Sequence, residues 1–212
     1  MEITILCNDE KHPVNGHLID WIDCNQEIHD IQLVRSKSEL ISGDVLFLIS
    51  CNEIVKAEDR NKFSKTLVIH ASDLPNGRGW SPHIWRIVEG AESITVTLLE
   101  AEDKVDSGAI WKQVVLDVPK DRLWDEINKQ LFDAECALMS FAVENFSSIE
   151  PKLQDSSVEP SYYPKRTPLD SEIDPQKSIA KQFNLIRVCD PKRFPAYFKL
   201  HGYTYEIKLK KK

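Results

Sequence analysis

The sequence predicts an α/β protein: a parallel-type sheet flanked by helices, with a small C-terminal extension of one helix plus a β-hairpin. Three observations predict it. Short apolar runs alternate with segments of helical period along most of the chain. The run Asp44 to Ser50 (DVLFLIS) is continuously apolar between polar flanks, as in a strand covered on both faces. Near the C-terminus two aromatic-rich runs flank His201-Gly202, a tight-turn signal.

Taken in order, Ile3 to Cys7 reads as a first strand. Val14 to Cys24 reads as a helix, its apolar residues Val14, Leu18, Ile19, Trp21 and Ile22 falling at helical spacing. Ile31 to Val34, Asp44 to Ser50 and Thr66 to Ile69 are further strands. Pro82 to Glu89 is a short helix, with Pro82 in its first turn and Ser81 the candidate N-cap. Ile94 to Leu99 and Ile110 to Val115 are strands joined by the polar loop Glu100 to Gly108. Arg122 to Asn145 is the longest helix; its stripe of Leu123, Ile127, Leu131, Ala134, Leu138 and Phe141 suits core packing or the face of a homodimer. Ser147 to Pro175, rich in Ser, Pro, Asp and Glu, reads as an irregular connection. Gln176 to Arg187 is the last helix, and Tyr197 to Leu200 and Tyr203 to Leu209 form the hairpin.

Bulk properties exclude several classes. A net charge of -7 disfavours binding nucleic acid through phosphate neutralisation. No basic n-region with a following apolar stretch opens the chain, and Val45 to Ile49, the longest apolar run, is too short to span a bilayer. Five scattered cysteines form no CxxC pair and no Cys/His cluster, which predicts free thiols in a reducing cytoplasm and no metal site. No GxGxxG follows the first strand, where Cys7-Asn8-Asp9-Glu10 stands instead, so a nicotinamide enzyme is disfavoured.

The segment Leu67 to Trp111 carries the chemistry. His70 directly follows an apolar strand, so it sits near a strand's carboxyl end, where open α/β sheets bind ligands. Pro75, Gly77 and Gly79 force an irregular loop around Arg78. Asp106 precedes Ser107-Gly108 in a second loop. An imidazole and a carboxylate meeting from two such loops are suited to acid–base work.

These residues also carry a resemblance. His70-Ala71-Ser72-Asp73-Leu74-Pro75-Asn76-Gly77-Arg78-Gly79 is similar to the H-x-S-x-L-P-x-x-R-G signature of the folate-dependent formyltransferases, and Asp106-Ser107-Gly108 to their D-x-G loop. The resemblance covers Asp44 to Val115 well and the first forty residues poorly. It implies a Rossmann-like catalytic domain over residues 1–150 and an extension over 151–212. The implied reaction is attack of a primary amine on the formyl carbon of N10-formyltetrahydrofolate, the formyl donor, through a tetrahedral oxyanion. By resemblance His70 stabilises the oxyanion and shuttles a proton, and Asp106 supports the charged imidazole, with no metal required. Ser72, Arg78, Gly79 and Trp80 fall to the acceptor substrate, and Cys51, Leu99, Glu100, Ala101 and Val105 to the folate. One departure stands out: the family's Asn two residues before the His is Val68 here. Asn52, just past a neighbouring strand, is the candidate replacement. A lost oxyanion donor costs roughly 100- to 1000-fold in rate.

The second half bears on the acceptor. Tyr162 to Asp174 and Phe183 to Asp190 are similar to segments of sugar formyltransferases. Lys165 and Arg166 are candidates to meet a diphosphate, although such pairs are usually solvated. Tyr162, Tyr163 and Trp80 are candidates to stack on a base or sugar. The resemblance thus implies a nucleotide-linked amino sugar, a UDP- or dTDP-4-amino-4,6-dideoxy sugar of the pseudaminic acid-type or other surface-polysaccharide pathways. The methionyl-tRNA formyltransferases carry a larger C-terminal domain, whereas about forty residues follow Asp170 here, so tRNA ranks lower. A non-catalytic folate or nucleotide-sugar binding homologue is the remaining alternative, with Val68 its best support. His12, His17, His29, His83 and His201 fit no constellation. Trp85 reads as core.

Overall fold

The computed structural model describes all 212 residues. Strand β1 (Glu2–Leu6) leads into helix α1 (Val14–Asn25), then β2 (Asp30–Val34), β3 (Gly43–Leu48), the single turn α2 (Ala57–Arg60) and β4 (Phe63–His70). A two-residue strand β5 (Arg78–Gly79) and α3 (Pro82–Val88) precede β6 (Ser93–Glu100) and β7 (Ile110–Asp117). Helix α4 (Trp124–Glu144) closes this part. After it come β8 (Tyr162–Tyr163), α5 (Ile179–Arg187) and the hairpin β9 (Ala196–Leu200) and β10 (Tyr203–Ile207).

Six strands form one sheet in the order β2-β1-β3-β4-β6-β7. The first four are mutually parallel; β6 runs antiparallel to β4, and β7 antiparallel to β6. The sheet is thus parallel-dominated rather than uniformly parallel. A loop as short as residues 101–109 can only join antiparallel neighbours, because a parallel return needs a crossover of a dozen residues or more.

Alternation along the parallel strands sorts two cores. Ile3, Ile5, Val45, Phe47, Leu67 and Ile69 turn to one face and pack under Leu18 and Trp21 of α1 and Leu131, Phe132 and Leu138 of α4. Trp21 Nε1 donates to Ser140 Oγ at 2.8 Å, so the buried indole keeps its hydrogen bond while tying the two helices together. Leu6, Leu46 and Leu48 turn to the other face and meet Val34, Leu40, Val55 and Phe63. This second cluster is smaller than the first.

Three local readings need amendment. Ser81 does not cap α3: it lies in the left-handed region (φ 46) and its side chain accepts no hydrogen bond from the helix. The last helix begins at Ile179, where Ser178 accepts from the Lys181 N–H, three residues later than the sequence pattern places it. The connection 147–175 is irregular as expected, yet it is tied down: Lys152 exchanges two backbone hydrogen bonds with Ile110 (2.7 and 2.8 Å), and β8 pairs in parallel with β5. The hairpin turn falls on His201 (φ 51) and Gly202 (φ 81), both left-handed as a two-residue turn requires. No helix is long and apolar enough to cross a membrane.

Candidate active site

His70 ends β4. Strand alternation sends Leu67, Ile69 and Ala71 into the larger core and turns His70 to the opposite face, with Val68 two residues before it. The chain then folds back. Ser72 N–H donates to the His70 carbonyl (2.9 Å), and Thr97 Oγ1 on β6 donates to the Ser72 carbonyl (2.7 Å). The return brings the Gly77 carbonyl to 2.9 Å from His70 Nε2. A carbonyl only accepts, so Nε2 carries a proton.

The second loop reaches the same ring. Asp106 Oδ1 stands 3.6 Å from His70 Nδ1, an ion-pair separation rather than a hydrogen bond, and both side chains are more than nine-tenths buried. Both imidazole nitrogens therefore face oxygen acceptors. Asp106 adopts φ 56, and its Oδ2 accepts the Gly79 N–H at 2.9 Å. Behind it, Gly108 lies against the Glu100 carbonyl oxygen so closely that a Cβ has no room.

Arg78 is buried between the loops. Its Nη2 donates to Gln154 Oε1 (2.6 Å) and its Nη1 lies 3.4 Å from the Tyr162 hydroxyl. Gln154 Nε2 in turn donates to the carbonyls of Asp106 (2.8 Å) and Gly108 (3.0 Å). Ser161 Oγ accepts the Gly77 N–H, and the Ser161 carbonyl accepts the Arg78 N–H. Gln154 and Ser161 carry no sequence signal: a lone amide and a lone hydroxyl in a Ser/Pro/Asp-rich connection have neither period nor spacing to mark them.

Five buried side-chain polar atoms lack a partner, and three of them belong to this segment: Ser72 Oγ, Arg78 Nε and His83 Nδ1. Native proteins leave few such atoms, so their concentration around His70 marks a place where a ligand or solvent completes the bonding. Burial pushes the His83 imidazole down to about 3, with the charges of His70, Arg166 and His12 acting in the same direction. His83, to which sequence reasoning assigned nothing, is therefore neutral at physiological pH beside the pair.

The other sequence-predicted residues divide into groups. Trp80 is exposed, with Lys165 Nζ 4.6 Å from its ring centroid. Tyr163 stacks on Trp85 (centroids 6.3 Å, planes 9° apart) and donates to Glu89 Oε2, while Trp85 Nε1 donates to the Pro164 carbonyl. Trp85 is thus half-buried at this aromatic edge rather than in the core. Arg166 is buried with Ser171, Cys189 and the Phe194 ring. Cys51, Val68 and Ala101 converge from three segments as a partly buried apolar rim on the smaller core. Leu99 is fully buried, Val105 is exposed, and Glu100 accepts from Lys65 Nζ and Trp111 Nε1. Asn52 is exposed; its backbone N–H is held by Asn8 Oδ1, and no contact links its side chain to His70 or Asp106. No group of three or more His, Cys, Asp or Glu residues is arranged to hold a metal ion.

The sheet order and the buried pair define the class: a Rossmann-like α/β protein with an imidazole and a carboxylate converging at the end of its central strand. A family model described as formyl transferase matches residues 24–143, and the chain belongs to that family. It is 35% identical over 123 residues to a methionyl-tRNA formyltransferase of Pseudothermotoga lettingae, covering 58% of this chain and 40% of that one. It spans between about a quarter and a little over half of the length of the curated relatives it matches. Among solved structures, a methionyl-tRNA formyltransferase from Clostridium thermocellum superposes with a TM-score of 0.81 at 22% identity, over 96% of this chain and 90% of that one. A sugar N-formyltransferase from Shewanella sp. FDAARGOS_354 superposes with a TM-score of 0.74 at 17% identity, over 99% and 97%.

Proposed function

We propose that this chain transfers a formyl group from N10-formyltetrahydrofolate to the primary amine of a nucleotide-linked amino sugar. The observation that carries the reading is the His70–Asp106 pair, 3.6 Å apart and buried, with unpartnered Ser72 Oγ in the adjoining loop. With Nε2 held on the Gly77 carbonyl, His70 Nδ1, which makes no hydrogen bond of its own at 3.6 Å from Asp106, is the nitrogen that serves charge growing on the formyl oxygen, and Asp106 supports the imidazole and receives the proton that the amine gives up. The amine nitrogen gains the formyl carbon, the carbon's bond to the folate N10 breaks, and N10 takes up the proton the amine lost, so that tetrahydrofolate leaves. The apolar rim of Cys51, Val68 and Ala101 fits a flat heteroaromatic ring. Trp80, with its neighbour Lys165, offers an exposed aromatic face and a cation for a nucleotide, and the likeness to a sugar N-formyltransferase supports that acceptor. Residues 1–150 serve as the catalytic part and 151–212 as its extension.

Purified protein incubated with N10-formyltetrahydrofolate and a panel of UDP- and dTDP-linked 4-amino-4,6-dideoxy sugars, those of pseudaminic acid-type pathways included, tests this. A mass gain of one formyl group on one sugar is the expected result. A second reading rests on the 35% identity to a methionyl-tRNA enzyme; formylation of methionyl-tRNA, with every sugar left untouched, establishes it instead. Val68 supports a third, a binding protein that does not turn over: its apolar side chain packs on the smaller core where the family has an amide. Folate binding with no transfer to any acceptor is its signature.

A further inference from the structure

The geometry points to Gln154 as a positioning residue that holds the two loops of the His70–Asp106 pair in register; its kinetic consequence rests on the formyl-transfer reading above. Three hydrogen bonds and one charged contact close a ring. His70 Nε2 meets the Gly77 carbonyl; the next residue, Arg78, donates to Gln154; Gln154 donates to the Asp106 carbonyl; Asp106 faces His70 Nδ1. Gln154 is the one member that bonds to both loops without belonging to either.

Its chemistry suits that place. A primary amide has donors at one end and an acceptor at the other. The donor end serves the carbonyls of Asp106 and Gly108, and the acceptor end takes a 2.6 Å bond from the Arg78 guanidinium. Glutamate keeps the second bond and sets an anion against two carbonyls. Leucine keeps neither. The connection is anchored on both sides of Gln154, by Lys152 on Ile110 and by β8 on β5, so replacing the side chain leaves the strap attached. Gln154 also lies beyond the family-matched residues 24–143, so it adds a tie to those the matched segment makes within itself, the Gly77 carbonyl on His70 and the Gly79 N–H on Asp106.

Hydrogen exchange reads this without any substrate. Gln154→Leu is expected to speed exchange in both loops, at Gly77 to Trp80 and around Asp106 to Gly108. Gln154→Glu, which keeps the Arg78 bond, speeds it mainly around Asp106. Wild-type exchange in both variants overturns the proposal. Turnover adds a second reading. Gln154→Leu is expected to lower kcat by up to about 100-fold, the scale of an ångström's misplacement, with both KM values little changed. In an Asp106→Asn background the same substitution then costs less than about 3-fold, because the carboxylate it positions is gone. An undiminished loss in that background overturns the positioning role. A wild-type protein that formylates no acceptor counts against the functional reading alone, and the exchange result still decides the role of Gln154.

Discussion

At the scale of single residues, two kinds of buried charge separate the site from its support. His70 and Asp106 are buried but partnered, so polar replacements of equal or smaller size are expected to remove the proposed chemistry while keeping the fold. His70→Asn and Asp106→Asn are each expected to lower kcat by roughly 100- to 10,000-fold with a melting temperature close to wild type; unchanged rates in both remove the mechanism. Glu135 is different. It is 7% exposed on α4, its Oε2 has no partner, and burial pushes its carboxyl up to about 8. The unfolded chain releases that proton near pH 4.5 and the folded one only near 8, so the unfolded state holds fewer protons in between and stability falls as pH rises through that window. His83 and His12, pushed down by burial to about 3 and about 4, act with the opposite sign: the unfolded state takes up protons first, and stability falls as pH drops below 6.5. Glu135→Gln should therefore flatten the alkaline slope, leave the acid limb in place, and raise the melting temperature at pH 8; identical curves from pH 5 to 9 contradict this assignment. The sequence placed His70 and Asp106 because a signature fixes their spacing, whereas nothing in it marked Glu135, one carboxylate among many until the fold buries it.

At the scale of elements, backbone proximity sets the loops. β5 and β8 are two residues each, too short for any pattern to reveal, yet their pairing delivers the Gly79 N–H to Asp106. Gly79 has φ 98, and a Cβ there meets the Tyr163 carbonyl. Gly79→Ala is expected to destabilise by about 1–3 kcal/mol and to lower activity further than that loss of stability explains, since the Gly79 N–H leaves Asp106. Melting curves and kcat measured on one preparation check both. Helix α5 docks differently. Arg187, 1% exposed, donates to the carbonyls of Pro119 and Arg122 and to Asn184 Oδ1, fastening α5 to the turn before α4. Arg187→Met removes the hydrogen bonds to the Pro119 and Arg122 carbonyls and should cost roughly 1–2 kcal/mol, read as a shift in the denaturation midpoint. The helices themselves were legible from period, because an apolar stripe against a core is a local property of the sequence.

At the scale of the whole molecule, the surroundings of His70 and Asp106 draw on residues after position 150 as well as before it. Gln154, Ser161 and Tyr163 lie beyond residue 150, yet they bond to Arg78, Gly77, Trp80 and the loop of Asp106. A fragment ending at residue 150 is therefore expected to show fast exchange in both site loops and no formyl transfer; full activity in that fragment rules out any contribution of the extension. The sequence by itself determined the α/β class, the order of the main strands and helices, and the identity of the His–Asp pair, because apolar period and motif spacing are written along the chain. Only the tertiary structure decided that β6 enters the sheet antiparallel to β4, that Asn52 stands exposed and apart from the pair while Arg166 is buried among Ser171, Cys189 and Phe194, and that Gln154 bridges the two loops. The Gln154 bridge depends on hydrogen bonds between residues 46 to 76 positions apart, and no local pattern encodes which distant partner a single polar side chain will meet.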